Sequence, residues 1–137
     1  MTRIYMDGVF DLFHRGHLEA IKKCKEYGDI IIIGVVSDDA CMSYKRKPII
    51  HEDDRVEIIK NLKDVDEVVF PCPLIVSEQF IVDNKIDIVL HGFSNENDLE
   101  KQKEFFEIPI KLNKFKTIRY YDKISTTDII NNIKTNY

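Results

Sequence analysis

Two histidines three residues apart, in His14-Arg15-Gly16-His17, stand between an apolar run, Ile4 to Phe13, and the stretch Leu18 to Cys24, which reads as an amphipathic helix. At i and i+3 both imidazoles share one side of a helical first turn. That turn also offers unpaired backbone N–H groups and the positive end of the helix dipole. A strand, a glycine-containing turn and a helix start carrying two imidazole donors make a site for a phosphate. Three readings of the pair stand side by side. The histidines are incidental to a helix start; or they are two ligands of a metal, although no nearby carboxylate or cysteine completes a zinc set; or they serve nucleotidyl transfer, where preorganised donors meet charge growing on an α-phosphate. The helix end disfavours imidazolium and so keeps the rings as neutral donors.

A second helix start lies near the other end of the chain. Ser125, Thr126 and Thr127 offer capping side chains, with Asp128 in the first turn. Alone this is a capping run; together with the histidine turn it is a second N-terminus able to face the same phosphates. Lys45-Arg46-Lys47 reads as a solvated basic loop or as a flexible lysine over a polyphosphate. Arg55 reads as a phosphate ligand or as the partner of Asp53 or Glu57. The P-loop pattern and the dinucleotide glycine fingerprint are both absent.

Strand-like and helix-like segments alternate along the chain and must hold these residues. Strands are expected at 3–9, 30–36, 67–70, 86–90 and 117–121, the fourth stopping at His91-Gly92. Helices are expected at 17–27, 52–62, 77–84, 95–106 and 125–134, with 39–50 a loop containing some helix. In the second of these, Val56, Ile58, Ile59 and Leu62 fall mostly on one side. The β-branched run at 30–36 suits a strand buried on both faces. The alternation predicts an α/β fold, a parallel sheet with helices on both faces and its ligand at the C-terminal strand ends.

A length of 137 residues with 44% hydrophobic content suits a single globular domain, 1–137. A net charge of −4 argues against a general nucleic-acid binder. Cys24, Cys41 and Cys72 are odd in number and widely spaced, which speaks against disulfides and for a reducing, cytoplasmic compartment. No apolar run approaches the length of a membrane span.

The chain resembles the cytidylyltransferases, nucleotidyltransferases with an HxGH signature, over about residues 3–135. Asp7 to His17 looks like their first motif, Ile124-Ser125-Thr126-Thr127 like the end of their second, and Val65-Asp66-Glu67-Val68-Val69 is similar to their dimer-interface motif. Tyr44-Lys45, Pro71-Cys72-Pro73, Asp87 to His91 and Lys114-Phe115-Lys116 look most like the choline-phosphate and ethanolamine-phosphate enzymes. The resemblance implies a Rossmann-like nucleotidyltransferase fold, a homodimer, and transfer of CMP from CTP, with Mg²⁺, to phosphoethanolamine or phosphocholine. It implies that His14, His17 and Lys45 are catalytic. Val9, Phe10, His91, Gly92, Arg119, Tyr120, Ile124, Ser125 and Thr126 would bind the nucleotide, and Asp7, Lys45 and His91 the phospho-alcohol.

The family's second-motif arginine, threonine and glycine fall on Tyr120, Tyr121 and Lys123, with Arg119 one residue earlier. The tryptophan and a tyrosine of the choline cage fall on Leu74 and Glu96. Two alternatives are carried forward: an enzyme for glycerol 3-phosphate or another polyol phosphate, and a nucleotide-binding protein of weak catalysis.

Overall fold

Periodicity of two in the strands and 3.6 in the helices sorts the apolar residues into two layers. The computed structural model describes residues 1–93 and 100–137. Strands β1 (Arg3–Gly8), β2 (Ile30–Val35), β3 (Glu67–Val69), β4 (Ile88–Phe93) and β5 (Phe115–Arg119) form one parallel sheet in the order β3-β2-β1-β4-β5. The helices are α1 (Arg15–Cys24), α2 (Asp38–Met42), α3 (Glu52–Lys60), α4 (Glu78–Asp83), α5 (Glu107–Lys111) and α6 (Thr126–Asn136), with a 3-10 turn at Lys103–Phe106.

Alternate residues of each strand face opposite layers. Ile4 and Met6 of β1, with Ile31, Ile33 and Val35 of β2, pack against Ala20, Ile21 and Cys24 of α1 and Ile59 of α3. Tyr5, Ile32 and Val89 face the other way, against Val76, Ile81, Ile86 and Phe106. Both faces are therefore covered, as a parallel sheet requires. The strand order reverses between β1 and β4, and the loops above that switch point form the crevice where such sheets bind ligands.

Several boundaries differ from the sequence expectation. β4 does not stop at His91-Gly92 but runs through both to Phe93, because β5 pairs alongside, His91 with Thr117 and Gly92 with Ile118. β5 covers 115–119, so Tyr120 and Tyr121 lie beyond the strand. α1 begins at Arg15, earlier than expected, since His14 caps it. In α3 the buried residues are Arg55 and Ile59, while Ile58 is 41% exposed. Of the helix expected at 95–106, residues 95–99, Glu96 among them, lie outside the described residues, 100–102 are helical, and 103–106 is a 3-10 turn. The short helix Glu107–Lys111 was not anticipated, having Pro109 inside it. No helix among the described residues is long and apolar enough to cross a membrane.

Candidate active site

The loops above β1, β2, β4 and β5 enclose a cavity of about 980 Å³. Of the residues singled out in the sequence, Asp7, Val9, Phe10, His14, His17, Lys45, His91, Arg119, Tyr120, Ile124, Ser125 and Thr126 all line it. Gly92 does not. It lies beneath the Tyr120 ring, so close that a Cβ there would sit 2.3 Å from a ring carbon. Its place is structural: the missing side chain is what lets the tyrosine lie down over β4.

The turn from β1 into α1 is tight, with Phe10 and Leu12 both left-handed at φ 57° and 49°. No glycine of the chain has positive φ, so the strain falls on two bulky residues, at about 1 kcal/mol or more each. Tertiary contacts hold it. Phe10 is only 6% exposed and packs edge-on against His17, with centroids 5.6 Å apart. Asp11, also 6% exposed, accepts hydrogen bonds from the main-chain N–H groups of Ile49 and Ile50, both at 2.8 Å. Its own carbonyl accepts from the Thr126 hydroxyl at 3.0 Å. One residue thus ties the loop that carries Lys45 and the start of α6 to the histidine turn.

His14 and His17 cap α1 reciprocally. His14 Nδ1 accepts from the Gly16 N–H at 3.0 Å, and His17 Nδ1 accepts from the His14 N–H at 3.2 Å. This is the capping-box geometry with imidazoles in place of a hydroxyl and a carboxamide. Gly16 must be glycine for it: a Cβ would lie 2.7 Å from the His14 ring. With Nδ1 accepting, a neutral ring carries its proton on Nε2, leaving two Nε2–H donors. Burial pushes the His14 pKa down, and burial with the adjacent His14 and Lys45 pushes His17 down to about 3, against a raising effect of Asp11. Both rings are neutral donors at pH 7.

Asp7, which also lines the cavity, is half-buried near the C-terminal end of β1. Burial raises its carboxyl to about 7, with the neighbouring Tyr5 hydroxyl acting in the opposite sense. Tyr44 is near enough to feel the Asp7 charge, and Tyr44, Phe105, Phe106 and Tyr120 line the same cavity, with the Tyr44 and Phe105 rings edge-on at 5.6 Å. His91 packs on Phe106 at 4.5 Å. Leu74, on the position of the cage tryptophan, also lines the cavity. The cavity lining therefore combines two imidazole donors with a carboxyl and several aromatic rings.

Arg55 corrects the sequence reading. It binds neither Asp53 nor Glu57 and does not face the cavity. Its side chain is fully buried, pairs with Asp38 at 2.7 Å, and donates to the carbonyls of Val9 (2.7 Å), Val36 (2.8 Å) and Ile50 (3.0 Å). Three loops are fastened by one guanidinium. The sequence signal was its place one turn before Ile59, on the buried face of α3. Asp11 carried a similar signal, a charge set inside an apolar run. Among the described residues no group of three or more His, Cys, Asp or Glu is arranged to hold a metal. All three cysteines are buried and free.

The cytidylyltransferase-like family profile matches residues 5–132. The chain belongs to the cytidylyltransferase-like family. It is 32% identical over 133 residues to an ethanolamine-phosphate cytidylyltransferase of Arabidopsis thaliana, covering 94% of this chain and 31% of that one. It is 36% identical over 143 residues to the choline-phosphate cytidylyltransferase of Saccharomyces cerevisiae, covering 98% and 32%. This cytidylyltransferase-like chain spans about a third to a half of the length of such curated relatives. Among solved structures it is similar to the lipopolysaccharide core biosynthesis protein from Thermoplasma volcanium, at 27% identity and a TM-score of 0.65, covering 88% of this chain and 96% of that one.

Proposed function

We propose that the protein transfers CMP from CTP to a phosphorylated amino alcohol, phosphoethanolamine or phosphocholine, and releases pyrophosphate. The observation that carries this reading is the pairing, in one cavity, of two neutral Nε2–H donors at a helix N-terminus with a carboxyl and aromatic rings. The first suits the phosphates of a nucleotide. The second suits an ammonium group, since a cation would draw the Asp7 proton off and pack against the rings.

In the proposed reaction a phosphate oxygen of the acceptor attacks the α-phosphorus of CTP. The bond from that phosphorus to the bridging oxygen breaks in line, and pyrophosphate leaves with the electron pair. No covalent enzyme intermediate is needed, so catalysis is positioning and charge stabilisation. His14 and His17 donate to the phosphate oxygens as charge builds. Lys45, on the loop fastened by Asp11, brings a mobile positive charge over the reacting phosphates. Val9 and Phe10 offer main chain to the nucleotide, Arg119 its guanidinium, and Ile124, Ser125 and Thr126 close the α6 end. Tyr120 offers a ring, and His91 stands between nucleotide and acceptor. Mg²⁺ would enter on the CTP phosphates as part of the substrate, since the described residues form no cage for it. A homodimer through residues 65–69 is part of the proposal, supported by β3 being an outer strand of the sheet.

Pyrophosphate release is to be measured with CTP and Mg²⁺ against phosphoethanolamine, phosphocholine, glycerol 3-phosphate and no acceptor. Release with either amino alcohol is expected. Release with glycerol 3-phosphate alone moves the reading to a polyol phosphate. CTP binding without release from any acceptor moves it to a nucleotide-binding protein.

A further inference from the structure

Resting on the nucleotide reading, we propose that Arg15 is a phosphate-binding residue of this site, one that takes the two outer phosphates of the triphosphate and is held ready on the ring of Tyr121. Arg15 is the first residue of α1, between His14 and Gly16, both of which line the cavity. Its guanidinium carbon lies 5.1 Å from the centroid of the Tyr121 ring, and Tyr121 lines the same cavity. The side chain is otherwise weakly engaged. It is 66% exposed, and among the described residues its one ion pair is with Glu19 at 3.4 Å.

The segment that closes the far side of the cavity is laced to α1 and its leading turn at three points. Lys23 donates to the Arg119 carbonyl at 3.1 Å, Arg15 sits over Tyr121, and Thr126 donates to the Asp11 carbonyl at 3.0 Å. The first and last are hydrogen bonds to main-chain carbonyls and set the path of the segment. The middle tie is different in kind. An exposed guanidinium on a half-buried ring is held by only about 1 kcal/mol and remains free to turn. Its fork fits two phosphate oxygens, which a ring face cannot rival. Arg15 is the first residue of α1, next to His14 and two residues before His17, so phosphates beyond the one held by those two rings come within its reach.

The test is calorimetric binding of CTP, CMP and inorganic pyrophosphate to the wild-type chain, Arg15→Ala and Tyr121→Leu. Arg15→Ala should weaken CTP and pyrophosphate by about fivefold to tenfold and leave CMP unchanged, as expected for one exposed charge-assisted contact. Tyr121→Leu should weaken the same two ligands by less. Arg15 is exposed, so its loss does not threaten folding. Equal weakening of all three ligands would mean that Arg15 only shapes the turn, and unaltered binding of all three would remove it from the site; either overturns the proposal. A wild-type chain that binds pyrophosphate but not CTP defeats the nucleotide reading instead, while Arg15 is still judged on pyrophosphate.

Discussion

The His14 and His17 imidazoles lie face to face, with centroids 3.9 Å apart and 27° between the planes, and each gives its Nδ1 to a main-chain N–H. Two charged rings at that distance would repel, and protonated Nδ1 atoms would abandon both caps. Structure and chemistry thus ask for the same protonation state. His17→Gln can keep the capping bond but offers no imidazole donor. It should lower pyrophosphate-release turnover by at least ~10² while the protein stays folded. Near-normal turnover would take His17 out of the reaction.

The pH dependence of stability should carry two opposed contributions. His17 is held down to about 3, below its ordinary value of 6.5. The unfolded chain therefore binds more protons there, and stability from this residue is lost as pH falls from about 6.5. Asp7 is raised to about 7 from 3.8. The native chain binds the extra proton, so stability from this residue is lost as pH rises from about 4 to 7. Between pH 5 and 6.5 each slope is worth about 2 kcal/mol and they oppose. Chemical denaturation should find His17→Gln gaining stability, relative to wild type, as pH falls through this window. Asp7→Asn should do the reverse and be the more stable protein at pH 8. Parallel profiles for all three proteins would refute both assignments.

Asp11 holds the Lys45 loop through the Ile49 and Ile50 N–H groups. Asp11→Ala should cost on the order of 3 kcal/mol in denaturant unfolding, the range for losing charge-assisted bonds. It should also lower kcat. If Asp11 acts through Lys45, the Asp11→Ala/Lys45→Ala double variant should turn over no more slowly than Lys45→Ala alone. Additive losses would give Asp11 a separate role.

Gly92→Ala would place a methyl 2.3 Å from the Tyr120 ring. A loss of about 1–3 kcal/mol is expected from such overpacking. Tyr120→Ala in the same chain should recover most of it, which a double-mutant cycle in thermal unfolding measures. Equal losses with and without the ring would mean that the strand, not Tyr120, excludes the methyl.

Removing Arg55 should hurt more than removing any exposed charge. Arg55→Ala leaves three carbonyls and Asp38 without their donor, and about 3–5 kcal/mol of stability should go with it. A thermal shift of only a degree or two would show that the loops are held by other means.

The β-branched run at 30–36 and the alternating strands around it are local patterns with one satisfactory burial, so the α/β class and the parallel sheet could be read from the chain. The pairing of His14 with His17 was legible in their spacing, although His14 lies outside α1 in extended backbone and meets His17 as the helix cap rather than along a helical face. What only the tertiary structure decided was who holds whom. Asp11 and Arg55 find their partners among main-chain groups of distant loops, and a carbonyl or N–H bears no residue name in a sequence. Arg15 meets Tyr121, and Gly92 yields to Tyr120, only because β5 lies beside β4 and the chain leaving it crosses the start of α1. Local periodicity determined the elements and placed the chemistry at their ends; long-range pairing and the desolvation it imposes set the tautomers, the perturbed acidities and the geometry of the site.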